Sequence, residues 1–381
     1  MNIITKELIE ILKVNSKSSN LDGVNKVGNM IKNYLLNVPL SWEKCSKKGK
    51  ADFLIAKSLV MDLTKPIIIL SAHLDVVFNA DEVNIDHTSD KIYGSGVCDM
   101  KSSLIVIIEI LRRLNKDNQL KNIIITFSPQ EELATPDYRN IIESVAKQGD
   151  YILVFESTKT LLDDPLNTRS VVVSRRGFQG LELKISGPGG HSGVLFKKEE
   201  RKSCILKMAE FILEAEKLSD YKKVTTLNSG IVNAGKGYNI LAPNAQVIFE
   251  TRFKVEKERI RVLKGLNKII DKLNTDKAFT FNLTQDIFFP AMFKSINNEL
   301  LLKICRKVAN IQNINLIEEE RGGGGESSLF QHFNPKACIL DGFGVHGGGE
   351  HTTNEFIFTE SLFSTIEFDF QVIKSILYTN K

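Results

Sequence analysis

The chain has few of the residues that usually announce a site. Its 381 residues include six histidines and five cysteines, and the cysteines (Cys45, Cys98, Cys204, Cys305, Cys338) are odd in number and scattered. None forms a CxxC pair, which argues against a disulfide framework and against a thiolate zinc site. No apolar run approaches the roughly 18 residues of a membrane span; the longest, such as Leu104–Ile108, have the length of core elements. The opening MNIITKELIEILK carries internal charges and reads as an amphipathic helix, not as a signal peptide. A cytoplasmic protein with no membrane partner is the expectation. Excess charge of one sign is also lacking: 50 Lys plus Arg against 46 Asp plus Glu leaves +4. That gives no support for nucleic acid or an anionic surface as the main partner. With so few histidines, any metal site must lean on carboxylates.

What is present is ordinary globular material. Apolar residues make up 42% and charged residues 25%, near the average for soluble domains, and the length fits two or three domains. Residues 1–36 read as helical. Strands are predicted at Ala51–Ala56, Pro66–Ala72, Asn122–Ser128 and Tyr151–Phe155, with helices at Met100–Leu114 and Ile141–Lys147. Apolar stretches such as IIIL (67–70) and YILVF (151–155) fit a sheet covered by helices on both faces. The middle reads differently. Strand Phe178–Ile185, helix Lys198–Leu218, strands Val224–Val232 and Asn244–Phe253, helix Glu256–Leu273 and strand Thr280–Leu283 make a β-α-β-β-α-β, ferredoxin-like unit. The fold expected is one α/β domain, residues 1–175 and 287–381, with a smaller α+β domain, 176–286, inserted into it.

Five clusters carry chemistry. SAHLDVV (71–77) puts His73 and Asp75 two apart, on one face if the segment is extended; a carboxylate beside a histidine is also an ordinary surface pair. YGSGVCDMKS (93–102) leads glycines into Asp99, where a helix N-cap is the simpler explanation. SPQEELA (128–134) sets Glu131 and Glu132 after a strand, a place for a metal ligand and a general base or for a solvated turn. YILVFEST (151–158) ends an apolar strand on Glu156, a carboxylate that should be paired or metal-bound. GGGEHTTNEF (347–356) supplies His351. Each signal is modest alone. Together they stand at strand ends or in the loops that follow, where open α/β sheets place their sites. They offer two histidines and three or four carboxylates, a ligand set suited to two divalent ions. GSGVCD (94–99) does not satisfy GxGxxG, so a dinucleotide fold is not indicated.

The ordered set SAHLDVV, GSGVCDMKS, PQEE, FEST and EHTTNEF resembles the co-catalytic zinc metallopeptidases, a family that includes glutamate carboxypeptidase, succinyl-diaminopimelate desuccinylase, acetylornithine deacetylase and aminoacylase. The resemblance covers nearly the whole chain. It implies a zinc-peptidase-like mixed sheet covered by helices, with the inserted unit acting as a lid and dimerisation domain. It implies that His73 and Glu156 bind one zinc, that Asp99 bridges, and that Glu132 and His351 bind the second. Co2+ or Mn2+ are implied substitutes. Glu131 would be the general base, and Asp75 would orient His73. In GPGGHSG (187–193), His191 would stabilise the tetrahedral intermediate. In YNILAPNAQVIFETR (238–252) and EERGGGGESS (319–328), Asn239, Arg252 and Arg321 would bind substrate, with Arg176 a further candidate anchor.

Several positions depart from the family pattern: Ser95, Ser102, Ala242, Glu250, Glu326 and Ser327. His346 competes with His351 as a ligand, and the His-to-Glu spacing of HTTNE favours His351. The function implied is a dinuclear zinc-dependent amide hydrolase, a carboxypeptidase that releases a C-terminal amino acid. An N-acyl amino acid deacylase is the alternative, and a non-catalytic binding protein on the same fold comes third. The substrate expected is a small peptide or N-acyl amino acid with a free carboxylate, and a homodimer is expected through the inserted domain.

Overall fold

Ile68, Ile69 and Leu70 have no exposed surface, and a strand with no polar alternation needs cover on both faces. This segment, Ile68–His73, lies inside a sheet with strand order Leu40–Cys45, Phe53–Ser58, Ile123–Ser128, Ile68–His73, Tyr151–Val154, Cys338–Leu340. The last three pairings are parallel, and the first two are antiparallel. The computed structural model describes every residue except 1, 89, 160–166, 195, 196, 198, 199, 380 and 381. Helices Ser102–Lys116 and Glu326–Phe333 pack on the sheet. The first ends with Arg113 and Lys116 in its last turn, where positive charge suits the helix dipole. A second, smaller sheet has the order Asp86–His87, Lys91–Tyr93, Phe356–Phe358, His346–Gly348, Thr158–Lys159.

The chain packs as two compact units, Met1–Ser174 with Lys294–Glu320 and Gly325–Lys381, and Arg175–Phe293 with Arg321–Gly324. The second unit has an antiparallel sheet ordered Thr226–Ala234, Asn244–Phe253, Gly177–Ser186, Thr280–Phe289, with helices Cys204–Glu216 and Glu256–Leu273. Along Gly177–Ser186, Leu181, Leu183 and Ile185 are buried between more exposed neighbours, the period of two that a one-sided sheet requires. They pack with Met208, Phe211, Val262 and Leu266 of the two helices.

Three sequence expectations shift. Residues 1–36 hold two helices, Ile3–Leu12 and Leu21–Tyr34. Between them the backbone of Ser16 and Ser18 pairs with Val76, and Asn20 caps the second helix by accepting from Gly23 N. The helix expected from residue 198 begins at Cys204, after an extended Ser203; residues 198 and 199 lie outside the described residues. The expected boundary at 286 falls inside the strand Thr280–Phe289, because Phe288 and Phe289 continue to pair with Gln179 and Phe178.

A buried ion pair lies in the first unit. Arg169 donates to Asp369 Oδ1 at 2.8 Å and to Thr365 Oγ1 at 2.9 Å, and Arg169 and Asp369 are 3% and 0% exposed. His346 is buried near this guanidinium. Burial first, and the Arg169 charge second, push its pKa down to about 3. The imidazole is therefore neutral in the fold, and protonation favours the unfolded chain. The contribution is whole above the ordinary pKa of about 6.5 and is lost as pH falls towards 3. By pH 4 the loss should be on the order of 3 kcal/mol. Urea unfolding of His346→Gln should show a flatter fall in stability between pH 6.5 and 4 than the native chain; parallel curves would contradict it.

Candidate metal centre

Three neighbouring parallel strands end at one rim of the main sheet, and each delivers a candidate residue there. His73 is the last residue of its strand, Glu131 and Glu132 lie in the turn after Ile123–Ser128, and Glu156 stands just beyond Tyr151–Val154. Asp99 and His351 reach the same place from the smaller sheet. Thr158 pairs there with His346, so the segment leaving Glu156 lies against the strand that leads to His351. Asp99 is not a helix cap: its backbone is extended (φ −122°, ψ 91°), and the helix starts at Ser102.

His73 Nδ1 lies 2.9 Å from the backbone carbonyl of Asp75. A carbonyl can only accept, so Nδ1 carries a proton, and Nε2, which donates to Asp99 at 3.0 Å, is the nitrogen at which a cation would take the place of a proton. Around Nε2 stand Asp99 Oδ1 at 3.0 Å and Glu156 Oε1 at 3.9 Å. The Glu131 carboxylate gathers with His73 and Glu156, and that of Glu132 with His73 and Asp99; within each trio the potential ligand atoms lie within 4.8 Å of one another. His351 Nε2 faces Glu132 Oε2 at 3.2 Å and Asp99 Oδ2 at 3.4 Å. The two oxygens of Asp99 thus face two different histidines. His351 sits at φ +59°, a left-handed conformation that costs a non-glycine residue energy and tends to mark functional positions. His346, the competitor, packs near Arg169 instead.

The electrostatics are those of crowded acids. Burial, and then the charge of Glu156, raise the pKa of Glu131 well above the ordinary carboxylate range. Burial also raises that of Glu132, against a hydrogen bond from His351. Burial opposes the charge of Asp99, but hydrogen bonds from His351 and His73 outweigh it and hold that carboxylate low. The same contacts to Asp99 and Glu132 lift His351 to about 11. Glu132 Oε1 is buried with no hydrogen-bond partner. Unpaired buried acceptors beside clustered carboxylates are what a divalent cation satisfies, and oxygen and imidazole donors suit zinc.

Three further carboxylates brace this group. Asp75 is fully buried; its carboxylate is 3.5 Å from His73 Nδ1. It accepts more closely from Ser18 Oγ at 2.6 Å and from the amides of Glu131 and Glu132 at 3.1 and 3.3 Å. It orients His73 through its carbonyl and the glutamate turn through its side chain. Glu326 accepts from Ser71 Oγ at 2.8 Å, and Ser128 also hydrogen-bonds to it, at the ends of the strands bearing His73 and Glu131. Glu355 accepts from the amides of Gly96, Cys98 and Asp99. Glu355 entered the sequence reading only as a spacing marker, and Glu326 only as a departure. An acid following a glycine run or a ligand histidine was the signal available.

The remaining candidates belong to the second unit. His191 is exposed, and its Nδ1 accepts from Gly193 N at 3.0 Å, leaving Nε2–H as a donor. It pairs with Ile240, and Asn239 O accepts from Ser192 N, so His191 and Asn239 are neighbours. Arg252 stacks over Phe178 at 4.7 Å, and its Nε and one terminal nitrogen hold Glu250 at 3.0 and 2.9 Å. The fork expected to take a substrate carboxylate is engaged by a carboxylate of the same strand. Arg176 donates to Val224 O and Thr226 Oγ1, and its amide to Arg321 O.

Known proteins resemble this chain over most of its length. Carboxypeptidase G2 of Pseudomonas sp. (strain RS-16) is 22% identical over 90% of this chain and 83% of its own length. An acetylornithine deacetylase of Buchnera aphidicola is 23% identical over 81% and 82%. Among solved structures, a tripeptidase of Staphylococcus aureus superposes with TM-score 0.79 at 20% identity, covering 99% of this chain and 98% of its own. An M20 family metallo-carboxypeptidase of Sulfolobus solfataricus gives 0.78 at 16% identity, covering both chains fully at 100%. The profile of peptidase family M20/M25/M40 matches residues 69–375, and the chain belongs to that family of metallohydrolases.

Proposed function

We propose that the protein is a dinuclear zinc amide hydrolase acting as a carboxypeptidase. The observation that supports this most is the convergence of Asp99, Glu131, Glu132 and Glu156 on His73 and His351. In this reading His73 and Glu156 would hold one ion and Glu132 and His351 the other, with Asp99 as the ligand shared between them. When bound, the ions would polarise the amide carbonyl and lower the pKa of water towards about 7. Glu131 is the general base. Its carboxylate gathers with His73 and Glu156 beside the proposed ions, where a general base has to stand to take a proton from water. It accepts a proton from the attacking water and returns it to the departing amine nitrogen. His191 Nε2–H is the proposed oxyanion donor. Deacylation of an N-acyl amino acid is the second reading, supported by the acetylornithine deacetylase that matches at similar identity. The homodimer is supported by Leu213, Ile231 and Val232, exposed on the second unit; light scattering should give the mass of two chains, and a monomer would remove this part.

Glu131→Ala should retain zinc by elemental analysis and lose at least about 1000-fold in kcat, within the range general acid–base groups supply. His73→Ala should lose zinc and activity together. Full turnover in the first variant would remove the base assignment. Carboxypeptidase and deacylase activity are separated by a panel of dipeptides and N-acyl amino acids.

Glu250 gives a sharper test of the substrate arm. If Arg252 takes the substrate carboxylate, Glu250 competes with it. Glu250→Gln should then lower KM for substrates with a free carboxylate and leave amidated ones unchanged. An equal effect on both would separate Arg252 from carboxylate recognition.

A further inference from the structure

We propose that Glu355 is a positioning residue that sets Asp99 for metal bridging, an inference that rests on the reading of Asp99 as a ligand. Glu355 is 3% exposed, and both of its oxygens are in use. Oε2 accepts from Gly96 N at 2.7 Å, and Oε1 accepts from Cys98 N and Asp99 N at 2.8 Å each. These amides belong to the turn that presents Asp99, whose own backbone is extended and not helical. Gly96 turns at φ +71°, and a Cβ there would come within 2.2 Å of Val76. A side chain at position 96 would therefore displace the turn whose amides Glu355 accepts from.

The other end of the link is His351. Glu355 closes the same loop, four residues on, just before the strand Phe356–Phe358, which pairs with Lys91–Tyr93. One carboxylate thus ties the segment bearing His351 to the segment bearing Asp99, and their side chains meet at 3.4 Å. Glu350, the residue before His351, accepts from Ser157 Oγ at 2.9 Å, which ties the same loop to the segment after Glu156. Only an ionised carboxylate offers two acceptor atoms and no hydrogen. A glutamine keeps the length and shape but turns an NH2 towards at least one of the three amides. The amide it faces must tilt, and Asp99 moves with it. Glu355 is buried with both oxygens on backbone amides, so its loss should appear in metal binding and kcat and leave KM unchanged.

The experiment compares the full native chain with Glu355→Gln, Glu355→Ala and Asp99→Asn. Zinc affinity is measured by competition with a chromophoric chelator, coordination by the visible spectrum of the Co2+-loaded protein, and folding by circular dichroism and urea midpoint. Glu355→Gln should stay folded, bind at least one zinc tenfold or more weakly, change the cobalt spectrum, and lower kcat with KM retained. Superimposable competition curves and cobalt spectra for Glu355→Gln and the native chain would overturn the proposal. So would a Glu355→Gln chain that fails to fold even with zinc present, since Glu355 would then be a folding residue, and this holds whether or not Glu355→Ala folds. If the native chain binds zinc and Asp99→Asn loses it while Glu355→Gln does not, the positioning role alone falls. If the native chain binds no zinc, the metal reading falls and takes this role with it.

Discussion

Mutual repulsion among four carboxylates is the constraint on which the candidate site depends. Two unit charges about 4 Å apart repel by roughly 4 kcal/mol at an effective dielectric near 20. Asp99, Glu131, Glu132 and Glu156 gather around His73 and His351 at such spacings. An assembly of this kind holds together when cations neutralise it and when the backbone gives the acids nowhere else to go. The raised pKa of Glu131 and Glu132, driven by burial, and the lowered pKa of Asp99, driven against burial by two imidazoles, are two outcomes of the same crowding.

The scaffold supplies the second condition. Parallel strands buried on both faces end at one rim, so His73, Glu131 and Glu156 start from fixed points. Asp75 holds the glutamate turn by its amides, and the break between the first two helices exists where Ser16 and Ser18 pair with Val76 and bring Ser18 onto Asp75. Glu326 joins the ends of two strands through Ser71 and Ser128. The site is thus a ring of acids facing inward, supported by a second ring of acids that accept from backbone amides and hydroxyls. Preorganisation of this kind holds ligands near working geometry before any ion arrives.

The inner ring was legible in part from residue type and in part from resemblance. His73, Asp99, the glutamate pair, Glu156 and His351 are polar residues set where apolar runs stop, each a modest signal alone; it was their order along the chain, matching the zinc metallopeptidases, that grouped them. Of the outer ring only Asp75, two residues from His73, was legible. Glu355 acts on amides more than 250 residues away along the chain, and Ser18 on a residue 57 positions on; neither partnership leaves a local pattern. The helix break between residues 12 and 21 failed for the same reason, since long-range pairing with Val76 outweighs helical periodicity. The strand to Phe289 extended past expectation because cross-strand pairing with Phe178 continues where the alternation weakens. Arg252 is a partial case: Glu250 lies two residues earlier, hence on the same strand face, and that spacing was available to read.

The most direct measurement of the central claim is anomalous diffraction at the zinc edge from crystals grown with zinc. The account predicts two peaks about 3.5–4 Å apart, one contacted by His73 and Glu156, the other by Glu132 and His351, with Asp99 between them. A single peak, or two that leave Asp99 outside the coordination of either, would contradict it.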